Sequence, residues 1–283
     1  MTTGSWQVAP GAAVVTGDNH GSINTGPMYV QVTASRFDRV QDAVFDPAPL
    51  YEQLDLARFQ GRQRLITQID GRISRSDRGY VVVRGEAGVG KSTLAAHLVW
   101  TRPCAFHFTR LAGGASSPVE ARKSLAAQLI GGWGLADRFV PADVFPAAAE
   151  RPDWLATVIR AAAQKRDRDH PGRPLVLAVD GLDEAQPDPP GMGTGVPLGL
   201  PVPDSLPAGV YIVATSRYGL PLAALKDPQR VGWSQIIVEG ADNLADMRAY
   251  LHAVVDREEG STPGRDGDDP RSERRWPKGG RKP

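Results

Sequence analysis

The segment from Tyr80 to Thr93, YVVVRGEAGVGKST, constrains this chain more than any other. Tyr80, Val81, Val82 and Val83 form a short unbroken apolar run, as expected of a strand buried on both faces. The nine residues after Arg84, GEAGVGKST, satisfy the pattern GxxxxGK[ST]. Gly85, Gly88 and Gly90 let the backbone turn tightly, so that successive N–H groups point at phosphate oxygens. A helix opening at Lys91 adds its positive N-terminal end. The Lys91 ammonium can reach the β- and γ-phosphates, and the Ser92 hydroxyl can ligate Mg²⁺. The candidate nucleotide-binding set is therefore Gly85, Glu86, Ala87, Gly88, Val89, Gly90, Lys91, Ser92 and Thr93. The chemistry alone leaves ATP and GTP both open.

Around this loop the chain alternates between strand-like and helix-like patterns. Strands are expected at 80–83, 104–109, 175–179, 210–214 and 235–238. Helices are expected from Gln63, over 91–100, over 118–130 and over 153–166. Such alternation implies a three-layer α/β/α fold with a mainly parallel five-stranded sheet covered on both faces. Residues 186–209 form a Pro/Gly loop, long for a compact domain. A last short helix is expected at 242–255.

A second chemical signal is LVLAVDGLDEA at 175–185. A buried strand ends at Asp180, and a carboxylate at that edge can hold Mg²⁺, usually through water. Asp183 and Glu184 follow. Either can orient or deprotonate the attacking water, and Asp183 is the first choice for the acid facing the phosphate. A third strand, VYIVATSR at 210–217, ends in Arg217, which can contact a γ-phosphate. His107, between Phe106 and Phe108, reads as a hydrogen-bonded core residue, because no metal-ligand spacing surrounds the five histidines.

Composition excludes several classes. The net charge of +1 provides no general pull toward nucleic acid or anionic lipid. One cysteine, Cys104, permits neither an intrachain disulfide nor a thiolate metal cluster, and its apolar neighbours mark it as a core residue. No run reaches the ~18 apolar residues of a membrane span, and no secretory signal is visible. The expected location is the cytoplasm. Residues 1–35 are rich in Gly, Thr and Asn and read as a weakly ordered segment with one or two strands. Residues 36–58 read as a linker, and the charged stretch 257–283 as a disordered tail.

Taken together, FQGR (59–62), GEAGVGKST, LVLAVDGLDEA and VATSR (213–217) resemble the NACHT-type branch of the signal-transduction ATPases with numerous domains, the STAND class. AFHFTRLAGGASSPVEARKSLAAQLI (105–130) is similar to the second strand and following helix of bacterial members, and DNLADMRAYL (242–251) to the start of a helical lid. The resemblance covers about 59–256. It implies an additional-strand P-loop fold, in which the acidic strand is not adjacent to the P-loop strand. The NTPase domain would then run over 59–240 and the lid would start at 241–256. The resemblance also implies Arg62 near the adenine pocket, Asp180 near magnesium and Arg217 as a γ-phosphate sensor. It implies ATP and Mg²⁺ as cofactors, and a switch that works on a protein partner or a homo-oligomer. The family normally continues into a full lid, a winged helix and repeats. This chain is therefore expected to be a truncated or stand-alone member.

The leading expectation is a slow regulatory ATPase, catalysed through Lys91, Asp183, Glu184 and Arg217. A non-hydrolysing nucleotide-binding module, or a fragment acting as an interaction protein, is the alternative. A P-loop small-molecule kinase would be expected to carry an arginine-rich lid, and 186–209 contains no arginine.

Overall fold

The computed structural model describes residues 38–59, 61–109, 116–188, 191, 193–220, 222, 225 and 233–238, with Leu244, Arg248 and two short strands near the N-terminus. The chain divides into two units, Met1–Arg36 and Phe37–Pro283. In the first, β1 (Ile23–Asn24) and β2 (Tyr29–Val30) pair antiparallel, Ile23 opposite Val30. The remainder of the segment read as weakly ordered, and the tail at 257–283, lie outside the described residues. So does the helix expected at 242–255, apart from Leu244 and Arg248, which are helical.

In the second unit, the stretch 38–59 carries more structure than its polar, proline-punctuated sequence implies. It holds a 3-10 turn at Gln41–Ala43, the short helix α1 (Ala48–Gln53) and another turn at Leu56–Arg58. Ala43, Leu50 and Leu56 are buried and hold it against the core. Helix α2 (Gln63–Arg75) follows and buries Leu65, Ile66 and Ile69. Strand β3 (Gly79–Arg84) leads through the glycine loop into α3 (Lys91–Thr101). Then come β4 (Ala105–Phe108), α4 (Pro118–Gly132), the single turn α5 (Ala136–Phe139) and α6 (Pro152–Asp169). Both long helices start with a proline in the first turn, where its missing N–H costs nothing. Helix α6 also has Asp153 near its start and Arg166 and Arg168 near its end, favourable to the helix dipole.

The last three strands are β5 (Leu175–Asp180), β6 (Val210–Ser216) and β7 (Trp233–Ile237). The sheet order is β4-β5-β6-β3-β7, and every pairing is parallel. β6 therefore lies between the acidic strand β5 and the P-loop strand β3. This is the insertion that the additional-strand class requires. The side chains of β3 alternate between faces as strand geometry dictates. Tyr80 and Val82 join the layer of α4 and α6, while Val81 and Val83 pack with α2 and α3.

The crossover from β5 to β6 departs from the usual strand–helix–strand unit. Between β5 and β6 the chain carries seven prolines over 186–209, which forbid a helix. The described residues of this stretch form instead a strap in the α4/α6 layer with 3-10 turns at Pro197–Gly199 and Pro203–Ser205, burying Val196, Leu198, Leu200 and Leu206. Its carbonyls are claimed by side chains: Tyr80 Oη donates to Pro201 O at 2.6 Å, and Arg166 donates to Ala208 O and Gly209 O. The fully buried Arg122 on α4 pairs with Asp188 at 2.7 Å and donates to Glu150 O at 2.6 Å. No helix among the described residues is long and apolar enough to cross a membrane.

Candidate active site

Parallel strands bring β3, β5 and β6 out at one rim of the sheet. The register sets Val83 beside Thr215 and Val179 beside Ala214. The residues just past the strands, on the glycine loop and after Asp180 and Ser216, therefore meet over a cleft of about 340 Å³. Its lining includes Gly88, Gly90, Lys91, Ser92, Thr93, Asp180, Asp183, Glu184 and Arg217. Residues as far apart in sequence as Ala87 and Arg217 are thus gathered at a helix N-terminus, where backbone N–H groups can take an anion.

The loop turns into α3 through Gly90, which caps the helix at φ 81°. A side chain there would be strained, and its Cβ would lie 3.2 Å from Arg62 Nη2. Arg62 itself is buried, sits in the left-handed region at φ 61°, and donates to Val89 O at 2.6 Å. The arginine expected near an adenine pocket thus lies against the back of the glycine loop and holds its shape. Lys91 Nζ donates to Gly85 O at 2.9 Å and to Glu86 O at 2.6 Å. Burial lowers the Lys91 pKa, opposed by the fields of Asp183 and Asp180.

Asp180 is buried at the end of β5. Its Oδ1 accepts from Thr215 Oγ1 at 2.6 Å, and that hydroxyl accepts from the Gly181 N–H at 2.9 Å. Ser92, at the start of α3, faces the same carboxyl and helps to hold its pKa down. Burial raises the Asp180 pKa, against the pull of the Thr215 hydrogen bond and of Ser92. The two residues expected at a magnesium ion thus line the same cleft. Both offer hard oxygen donors, which suit Mg²⁺, and a dication here would hold the buried carboxyl in its charged form. Among the described residues no group of three His, Cys, Asp or Glu converges on one metal position.

After Asp180 the chain reverses through Gly181 at φ 77°, where a Cβ would lie 3.3 Å from that of Thr109. The 3-10 turn Leu182–Glu184 then presents both acids to the cleft. Asp183 Oδ1 accepts the backbone N–H of Arg217 at 2.9 Å, and its Oδ2 is 3.3 Å from Arg217 Nε. Glu184 Oε1 is 3.0 Å from Arg217 Nη2. The three residues proposed for water activation and phosphate sensing form one ion-paired cluster.

Sequence reasoning gave no role to three residues here, although Thr215 stands out as a polar residue closing its strand. Thr215 links Asp180 to the Gly181 backbone. Thr109, at the end of β4, lines the cleft with a buried hydroxyl that has no hydrogen-bond partner among the described residues. Arg84 holds the turn after β6. A polar residue closing an apolar strand was the only available signal, and it is common to many strand ends. His107 is fully buried beside Phe45, and Cys104 is buried with its thiol pKa pushed up to about 12, which makes it an inert core residue.

Residues 58–191 match the family described as the AAA ATPase domain. The matched stretch contains the glycine loop, Asp180, Asp183 and Glu184, and stops before Arg217. A search of curated proteins returns no match to the chain. The match and the strand order together make this a P-loop NTPase fold of α/β/α architecture.

Proposed function

We propose that this chain binds Mg-ATP in the cleft between the glycine loop and the ends of β5 and β6, hydrolyses it slowly, and serves as a regulatory switch of the NACHT type. The observation that carries this reading is the convergence of Lys91, the Ser92–Asp180 pair and the Arg217 cluster on one cleft at the start of α3. The match to an ATPase domain supports ATP as the nucleotide. The resemblance to NACHT members supports a protein partner or a second copy as the reader of the nucleotide state.

Each residue then has a task. The backbone N–H groups of the glycine loop and the N-terminus of α3 hold the phosphate chain. Lys91 leaves the carbonyls of Gly85 and Glu86 for the β- and γ-phosphate oxygens and balances charge as the γ-phosphoryl transfers. Ser92 and Asp180 would hold Mg²⁺, which supplies further positive charge at those oxygens when bound. Asp183 anchors the Arg217 backbone, so its carboxylate is committed to structure. Glu184 engages Arg217 through Oε1 alone. Its other oxygen is the better placed to orient water and take its proton. The water oxygen bonds to the γ-phosphorus as the bond to the β-phosphate oxygen breaks, leaving ADP and phosphate. The hydrogen bonds thus favour Glu184 over Asp183 as the base.

The pairing of both acids with Arg217 also favours a second reading, in which nucleotide is bound without turnover. Phosphate release from ATP by the purified chain separates the two. The expected result is Mg²⁺-dependent release that falls by about 100-fold or more in Lys91→Ala and in Glu184→Gln. Tight binding without release would leave the binding module.

A further inference from the structure

Arg84 is the last residue of β3 and directly precedes the glycine loop. It is 4% exposed, although arginine is almost never so buried without a partner. Among the described residues no carboxylate pairs with it. Its guanidinium is spent on backbone carbonyls instead. Nε is 3.4 Å and Nη2 3.1 Å from Arg217 O. Nη2 also donates to Leu220 O at 2.9 Å and to Tyr218 O. The backbone ties the same strand ends together. Gly85 N–H donates to Ser216 O at 3.3 Å, and Val238 N–H donates to Arg84 O at 2.8 Å.

The preceding residues of β3 are Val81, Val82 and Val83, and a fourth aliphatic side chain would fill such a place at no electrostatic cost. A buried cation without a carboxylate is expensive unless fixed dipoles replace its water. Here those dipoles all belong to one turn, the turn that carries Arg217. Its other side is fixed by Asp183, which accepts the Arg217 N–H. The Arg217 side chain, 55% exposed and ion-paired with Asp183 and Glu184, is the part that can exchange these partners for a phosphate.

We propose that Arg84 is a positioning residue that couples the glycine loop to Arg217. A shift of the loop on taking up a triphosphate moves Arg84, and Arg84 carries the turn with it, so that the Arg217 guanidinium meets the γ-phosphate from a fixed backbone. The proposal rests on the nucleotide reading above and adds the route by which one part of the site informs another.

The test compares Kd for Mg-ADP and for a non-hydrolysable Mg-ATP analogue by calorimetry, and therefore does not depend on turnover. The variants are Arg84→Met, Arg84→Lys, Arg217→Ala and the Arg84→Met/Arg217→Ala double. The unmodified chain is expected to prefer the triphosphate. Arg84→Met should reduce that preference by about tenfold, within the usual range of a coupling energy, while ADP affinity stays within about twofold. Arg84→Lys, which keeps the charge and some donors, should recover part of it. The double variant should be no worse than Arg217→Ala alone, because the two act in series. Should Arg84→Met fail to fold, Arg84→Lys against Arg217→Ala gives the same comparison. An unchanged preference in the Arg84 variants would overturn the proposal. So would equal losses for ADP and the triphosphate, or independent, additive losses in the double. Failure of the unmodified chain to bind either nucleotide would remove the nucleotide reading itself, and this proposal with it.

Discussion

Asp180 depends on one hydroxyl more than its sequence neighbours reveal. Thr215 Oγ1 donates to the carboxylate and accepts from the Gly181 N–H, so a single atom satisfies two buried groups. Thr215→Val keeps the shape and leaves both unsatisfied, at about 1–3 kcal/mol each. We expect a lower urea midpoint with an unchanged m-value, and weaker Mg²⁺ dependence of nucleotide binding. His97 supplies a pH test. It stacks on Phe59 at 4.0 Å beside Trp100, and its Nδ1 is buried without a hydrogen-bond partner among the described residues. Burial, helped by the charge of Arg102, lowers its pKa from 6.5 to about 4. Between those values the unfolded chain holds a proton that the folded chain does not, so acid favours unfolding. Stability should fall from about pH 6.5 toward pH 4, by well under the full value of the shift because the imidazole is only half-buried and solvent screens it. His97→Gln should flatten that part of the curve in chemical denaturation across pH, and an unchanged curve would contradict the assignment. The candidate residues of the glycine loop and Asp180 were legible in sequence because their chemistry needs fixed spacings. Arg84 and Thr215 were not. Their partners are carbonyls and a carboxylate brought close only by the sheet, and no local pattern encodes that.

At the scale of elements, the free edge of the sheet shows how a helix can finish a strand. Among the described residues β4 pairs only with β5. On its other side Gln128 of α4 acts as a substitute strand: its Oε1 accepts from Phe106 N–H at 2.9 Å and its Nε2 donates to Phe106 O at 2.7 Å. Gln128→Leu should expose that edge and leave both backbone groups unpaired beneath α4. The expected loss is about 2 kcal/mol or more in denaturant unfolding, with a rise in concentration-dependent aggregation. Strands β3, β5 and β6 were legible as unbroken apolar runs of the kind a two-sided burial demands. The stretch 38–59 was not. Its anchors, Ala43, Leu50 and Leu56, lie on three separate short turns and not on one periodic element, so only the finished core reveals them. The strap over 186–209 was legible as non-helical from its prolines. Its burial was not, because the leucines that enter the core are fixed there by Tyr80, Arg122 and Arg166, which lie on β3, α4 and α6.

For the whole molecule, the sheet order places one strand between the P-loop strand and the acidic strand, and that order decides which residues can share a cleft. Arg217 reaches Asp183 and Glu184 because β6 is the neighbour of both β3 and β5. A ligand that bridges the glycine loop to these strand ends should stabilise the entire second unit. By mass action, a nucleotide at 100 times its Kd adds about 2.7 kcal/mol. The most direct measurement is therefore calorimetric titration of the purified chain with ATP, with and without Mg²⁺, beside Lys91→Ala. We predict saturable one-site binding that needs Mg²⁺ for full strength and is lost in the variant. Absence of saturable binding in the unmodified chain, or equal binding once the Lys91 ammonium is gone, would contradict the account.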